Sequence, residues 1–199
     1  MVSVRVVAIA VAVVFVLAFA GGAVAGPPTD QLKGAVDHVL KVLEDPSLKG
    51  ESRTAERRAA VQKIAQEIFD FQETGKRSLG RHWQSRTPAE RTEFTQLFAD
   101  LLEHAYISKI DQYSGENVKY VGESIEGDQA TVRTKVLDKD NRELQVDYRM
   151  LRSSDRWLIY DVLVEGVSLV ANYRAQFDQI IRTSSYQQLV EKLKSSSSS

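Results

Sequence analysis

The sequence predicts an α+β fold, a four-stranded antiparallel sheet with helices packed on one face. Two changes of period carry that prediction. Apolar residues recur at helical spacing from Leu32 to Tyr106, alternate one by one between Val118 and Val164, and return to helical spacing from Leu169. Blocks of helices separated from a block of strands define this class, because neither kind of element buries its apolar side alone.

The elements follow in order. Thr29 is placed to cap a helix carrying Leu32, Val36, Val39, Leu40 and Leu43, which Asp45-Pro46 ends. A polar linker from Ser47 to Ser52 leads to a second amphipathic stretch with Val61, Ile64, Ala65, Ile68 and Phe69 on one side. Gly75 and Gly80 punctuate a short segment ending at Trp83. Thr87-Pro88-Ala89-Glu90 is a capping box with proline where its missing N–H costs nothing. Behind it Phe94, Leu97, Phe98, Leu101, Leu102, Ala105 and Tyr106 mark one broad face of a long helix.

After Ser114-Gly115 the period becomes two. Ala130, Val132, Thr134 and Val136 alternate with polar residues, as do Leu144, Val146, Tyr148 and Met150; Asp138-Lys139-Asp140-Asn141 joins them as a hairpin. Strands at Val118–Glu123 and Trp157–Val164 complete the four. The last strand is apolar on both faces, which fits a strand covered on both sides. A helix from Ser168 to Arg182 and a short one with Leu189, Val190 and Leu193 follow. Ser195–Ser199 reads as a disordered tail.

The first 25 residues read as a signal peptide, and residues 26–194 as a single domain. Arg5 is the one charge before Asp30, and the apolar run from Val6 to Ala20 is too short for the roughly 20 residues that span a bilayer. Gly21-Gly22 breaks that helix, and Ala23-Val24-Ala25 offers the small–x–small pattern of a cleavage site. The competing reading is an uncleaved anchor, in which the Gly pair and the A-x-A site have no use. No Cys follows, so a lipoprotein is excluded. After cleavage 25 Lys and Arg face 27 Asp and Glu, a net charge of −2, against a nucleic-acid-binding role. Absence of cysteine removes disulfides, thiol chemistry and Cys-based metal sites, and suits a bacterial periplasmic protein.

Catalytic chemistry is hard to assemble. His38, His82 and His104 lie in separate segments without i, i+4 pairing, and no G-x-S-x-G elbow or phosphate loop exists. Asp161 beside Tyr160 is the one candidate base, on the pattern of a carboxylate in an apolar cone; the plainer reading is a hydrogen-bonded structural Asp. The aliphatic and aromatic faces instead converge on one interior. Periodicity permits a pocket there and equally an ordinary core.

Two motifs carry a resemblance. One is Phe69-Asp70-Phe71, Leu79-Gly80-Arg81-His82-Trp83 and Thr87-Pro88 with the apolar face behind them. The other is Trp157-Leu158-Ile159-Tyr160-Asp161-Val162, Glu165-Gly166-Val167-Ser168-Leu169, Asn172-Tyr173-Arg174 and Gln176-Phe177. Together, over about Thr29 to Leu193, they resemble the MlaC family, the toluene-tolerance auxiliary proteins; hopanoid-associated relatives share the pattern. The resemblance implies a periplasmic phospholipid carrier without cofactor or covalent chemistry. It implies exchange with the MCE-domain subunit of an inner-membrane ABC transporter and with an outer-membrane lipoprotein–porin complex, maintaining lipid asymmetry. It also implies acyl chains held between sheet and helices.

Strand alternation within that implied pocket selects Val132, Thr134, Val146, Tyr148 and Tyr160, joined by Phe98, Leu102, Val167, Leu169 and Tyr173. Trp83 and Trp157 are expected to lock structure, and Arg133, Lys135 and Arg149 to lie on the opposite strand face. A hopanoid-associated carrier, a small-molecule enzyme using Asp161, and an adaptor without a cavity remain the alternatives.

N-terminal sequencing of the exported protein is expected to begin at Gly26; intact Met1 in the membrane fraction would contradict the cleavage.

Overall fold

The computed structural model describes residues 26–110, 113, 115–137 and 142–196, with side chains of 107–110 excluded. The signal segment, the 138–141 turn and the last three serines lie outside them. Helix α1 (Pro27–Glu44) begins two residues before the expected cap. Pro27 and Pro28 fill its first turn, where they sacrifice no helical hydrogen bond, and Gly26 takes the N-cap position. Thr29 is inside the helix: its backbone N–H and its hydroxyl both donate to Glu123 Oε2, at 3.0 and 2.6 Å. That carboxylate sits so close to Gly26 that a Cβ there would lie 2.0 Å from Glu123 Oε1. The helix start is therefore fixed from a strand, with a negative charge at its positive end.

Two 3₁₀ turns, Pro46–Leu48 and Glu51–Arg53, replace the expected linker before α2 (Thr54–Ile68). Helix α3 (Phe71–Leu79) is capped by Asp70, whose carboxylate accepts from Glu73 N–H at 2.8 Å. Gly75 does not break it; it lets α3 approach the next helix, where a Cβ would lie 3.2 Å from Thr95 Oγ1. Gly80 ends α3 at φ +56°, a left-handed conformation suited to glycine. Helix α4 (Pro88–Ile110) opens with the expected box: Thr87 N–H donates to Glu90 Oε2 at 2.7 Å, and Glu90 N–H to Thr87 Oγ1 at 3.3 Å.

Strands β1 (Asn117–Glu126), β2 (Gln129–Leu137), β3 (Glu143–Ser153) and β4 (Arg156–Val164) form the expected antiparallel meander. A fifth strand, β5 (Val167–Ser168), corrects the predicted count of four. It pairs with Leu163 and Val164 across the Glu165-Gly166 turn, where both residues have positive φ. Two ladder pairs are too few to leave a period in the sequence. Bulges place Val121 in β1 and Tyr160 in β4 outside the regular register. The edge of β4 away from β3, which β5 shares, also carries a bridge from Phe69 to Ile159, with Asp70 N–H donating to Ile159 O at 2.8 Å.

Helices α5 (Leu169–Thr183) and α6 (Tyr186–Ser196) close the fold; α6 takes in Ser195 and Ser196 of the expected tail. Ser168 caps α5, accepting from Ala171 N–H at 2.9 Å.

The apolar faces do not converge on one interior. One core lies between the sheet and the first two helices, with Leu32, Ile68, Ala130, Val132, Met150, Trp157 and Ile159. A second lies among α3–α6, with Leu79, Trp83, Phe94, Phe98, Phe177, Leu189 and Leu193. In it the Phe98 ring meets Tyr173 and Phe177 edge-on, with centroids 5.0 and 5.2 Å apart. The single helix layer expected over the sheet is thus two sets of helices with separate cores.

Thr87→Ala removes one half of a reciprocal cap on the longest helix. It is expected to cost about 1 kcal/mol, read as a lowered denaturation midpoint with unchanged slope.

Candidate functional site

The sheet register sets Tyr120, Thr134, Val146 and Val164 in one row across four strands. The adjacent row carries Glu123, Val132, Tyr148 and Val162. These side chains share the face covered by α1, since Tyr120, Tyr148 and Val162 pack against the core containing Leu32 and Val132. Four of the sequence-selected residues, Val132, Thr134, Val146 and Tyr148, therefore lie together. The Thr134 hydroxyl satisfies itself by donating to Val146 O at 2.8 Å.

Burial along this face is graded. Ala130, Met150 and Ile159 are closed at one end. Val118, Val136 and Val164 are only partly covered at the other, and Leu144 is 43% exposed beside them. Val167 pairs with Val164 there and is 62% exposed. An apolar sheet face is thus sealed at one end and open at the other.

The remaining selected residues lie elsewhere. Phe98, Leu102 and Tyr173 belong to the second core, among α3–α6. Leu169 is half-buried in the first turn of α5. Tyr160, the extra residue of the β4 bulge, leaves the regular alternation and meets α3: the Arg77 guanidinium stands 4.1 Å over its ring, and Thr74 Oγ1 donates to its carbonyl at 3.1 Å. Strand alternation assigned Tyr160 to the inner face because a bulge has no mark in a hydropathy pattern.

Asp161 is 4% exposed and tied to the chain around it. Its carboxylate accepts from Ser168 Oγ at 2.7 Å, Val170 N–H at 3.1 Å and Arg149 Nη1 at 3.3 Å. The bonds join β3, β4 and the start of α5, and they satisfy a carboxylate that burial would otherwise penalise severely. Arg149, placed by sequence among outward-facing charges, is a partner in this set. Arg133 and Lys135 are on the outer surface, Lys135 pairing with Glu143 at 2.5 Å. Trp83 and Trp157 are buried, as expected of residues that lock structure.

The histidines stay apart, and no group of three or more potential metal ligands occurs among the described residues. His82 Nε2 lies 2.8 Å from Asp178 Oδ1, which also accepts from Arg81 at 2.6 Å. These hydrogen bonds, His82 first, hold the Asp178 carboxyl below its usual range. The pair borders a cleft of about 360 Å³ between the Gly80–His82 turn and α5. A second cleft of about 490 Å³ lies beside Asp70, Glu73 and Trp83. Neither is lined by any of the ten selected residues.

Sequence reasoning passed over Tyr120. Its hydroxyl is enclosed on the inner sheet face and has no hydrogen-bonding partner among the described residues. The alternation Val118, Tyr120 pointed to it, but the bulge at Val121 breaks that pattern after one step.

These features define an α+β domain with an apolar sheet face under α1 and α2, in which Asp161, the one buried carboxylate among the described residues, is occupied in holding the fold. The chain belongs to the MlaC family: the family model described as "MlaC protein" matches residues 33–195. It is similar to the intermembrane phospholipid transport system binding protein MlaC of Haemophilus influenzae, 23% identical over 129 residues, 62% of this chain and 60% of that protein. The fold is similar to a phospholipid-binding protein from Ralstonia solanacearum solved in complex with a phospholipid. The TM-score is 0.77 at 25% identity, covering 87% of this chain and 98% of that one.

Asp161→Ala leaves the Val170 amide and the Ser168 hydroxyl without their acceptor. A loss of about 1–3 kcal/mol is expected by denaturant titration, with ligand binding retained by the folded fraction. Full stability would show that the carboxylate does not hold α5.

Proposed function

We propose that this chain is a periplasmic carrier of diacyl phospholipid, passing lipid between the outer membrane and an inner-membrane ABC transporter. The observation that carries the reading is the graded inner face, sealed at Met150 and open at Leu144 and Val167. Family membership and the lipid-bound Ralstonia relative support it. Exposing one sixteen-carbon chain to water costs on the order of 12 kcal/mol, at about 0.8 kcal/mol per methylene. A carrier must therefore offer that chain apolar side chains with few competing polar groups. The row Thr134, Val146 and Val164, with Val132 and Tyr148 behind it, fits this need, and Thr134 has spent its only donor internally.

Chain entry at the open end would separate α1 from the sheet and draw on the α4 and α5 faces, where Leu102, Leu169 and Tyr173 are only partly buried. Phe98 and Tyr160 would then act as supports behind the pocket. The partners would be an MCE-domain subunit on the inner-membrane side and a lipoprotein–porin complex on the outer side. None of the described helices is long and apolar enough to cross a membrane, as such an exchange requires after signal cleavage. The enzyme alternative is disfavoured by Asp161, whose carboxylate is committed to three donors.

The test is lipid extraction and mass analysis of protein purified from the periplasm without detergent. Wild type should yield diacyl phospholipid in near-stoichiometric amount. Val146→Glu places a charge on the buried inner face, and Leu169→Glu places one on the half-buried first turn of α5; both should lose bound lipid while circular dichroism shows them folded. Lipid-free wild type, or folded variants that retain full lipid, would overturn the reading.

A further inference from the structure

A phenol inside an apolar layer normally finds a hydrogen-bond acceptor, because leaving the hydroxyl unpaired sacrifices the bonds it makes to water. Two other polar groups on the inner sheet face obey this rule. Thr134 donates to Val146 O, and Glu123 accepts from Thr29. Tyr120 does not: its hydroxyl is enclosed and no described group accepts from it. It stands in the same row as Thr134 and Val146, between the sealed and open ends of the face.

The surroundings specify the missing acceptor. Burial, then the neighbouring Tyr148 and Asp37, push the Tyr120 phenol well above its ordinary range, so it is a neutral donor at physiological pH. Asp37 on α1 brings negative charge, and the ammonium of Lys33 is already paired with it at 3.0 Å. A phosphate drawn to this position would meet the negative charge of that carboxylate. A neutral carbonyl meets no such opposition.

We infer that Tyr120 donates a hydrogen bond to an ester carbonyl of the bound lipid, making the protein selective for ester-linked acyl lipid over ether-linked alkyl lipid. The inference rests on the carrier reading and deepens it. The carbonyl lies where an apolar chain joins the polar glycerol, so the bond would set how far the chain enters the sealed end. A dialkyl-ether lipid has no carbonyl: its oxygen lies within the chain, flanked by methylenes, and does not project to where the phenol donates.

Competition tests this directly. The exported protein is exchanged against vesicles holding equal amounts of diacyl and dialkyl-ether phosphatidylglycerol of the same chain length, and the bound lipid is quantified by mass spectrometry. Wild type should take up ester over ether by roughly 3- to 10-fold, the worth of one hydrogen bond. Tyr120→Phe should bring the ratio to about one by losing ester lipid, not by gaining ether lipid. A wild-type ratio of one, or a Tyr120→Phe protein with the wild-type ratio, overturns the inference while leaving the carrier reading standing. Uptake of neither lipid by wild type overturns both. Thermal unfolding without lipid gives a second reading: Tyr120→Phe should unfold at the wild-type temperature or above it. A fall of several degrees would show that the hydroxyl is satisfied within the protein, against the inference.

Discussion

Strand β4 must serve two cores at once, and the bulge at Tyr160 is what permits it. A regular strand sends alternate side chains to opposite faces, so each face receives every second residue. Trp157, Ile159 and Val162 serve the core under α1 and α2, and the extra residue resets the phase between Ile159 and Val162. Tyr160 is thereby released to α3 and the Arg77 guanidinium, and Asp161 to Ser168 and the start of α5. The reset thereby gives the helical group containing Phe94, Phe98 and Phe177 a polar anchor on the sheet at Asp161.

The anchors around the bulge are short-range and mutually dependent. Ser168 donates to Asp161 while accepting from Ala171 N–H, so one hydroxyl links the buried carboxylate to the first turn of α5. Asp70 donates its N–H to Ile159 O and caps α3 through its side chain, holding β4 further along the edge that β5 shares. Polar groups fixed at both points leave little freedom at this end of the sheet. The opposite end, at Val136, Leu144 and Val167, is the more exposed one. A cavity that must open for an apolar guest is better placed where few hydrogen bonds have to break.

That division bears on affinity. Chain burial is non-directional and supplies most of the binding energy, but it does not register a lipid along its length. A neutral donor midway along an apolar face can do so at small cost, because one hydrogen bond is weak beside the burial of many methylenes. The orphaned Tyr120 hydroxyl is placed for that task.

Much of the fold was legible in the sequence because it depends on local periodicity and caps. The Thr87–Glu90 box, the four long strands and the Ser168 cap all rest on residues within a few positions of one another. The grouping of Val132, Thr134, Val146 and Tyr148 followed equally from strand alternation. Thr29 was misread as a cap because its true partner, Glu123, is 94 residues away. Tyr160 was assigned to the wrong surroundings, and Tyr120 overlooked, because each lies at or beside a bulge, where one extra residue inverts the phase. The sequence by itself determined which residues are apolar and with what period. Only the tertiary structure decided that those faces form two cores, since a helix's apolar stripe does not name the surface that will cover it.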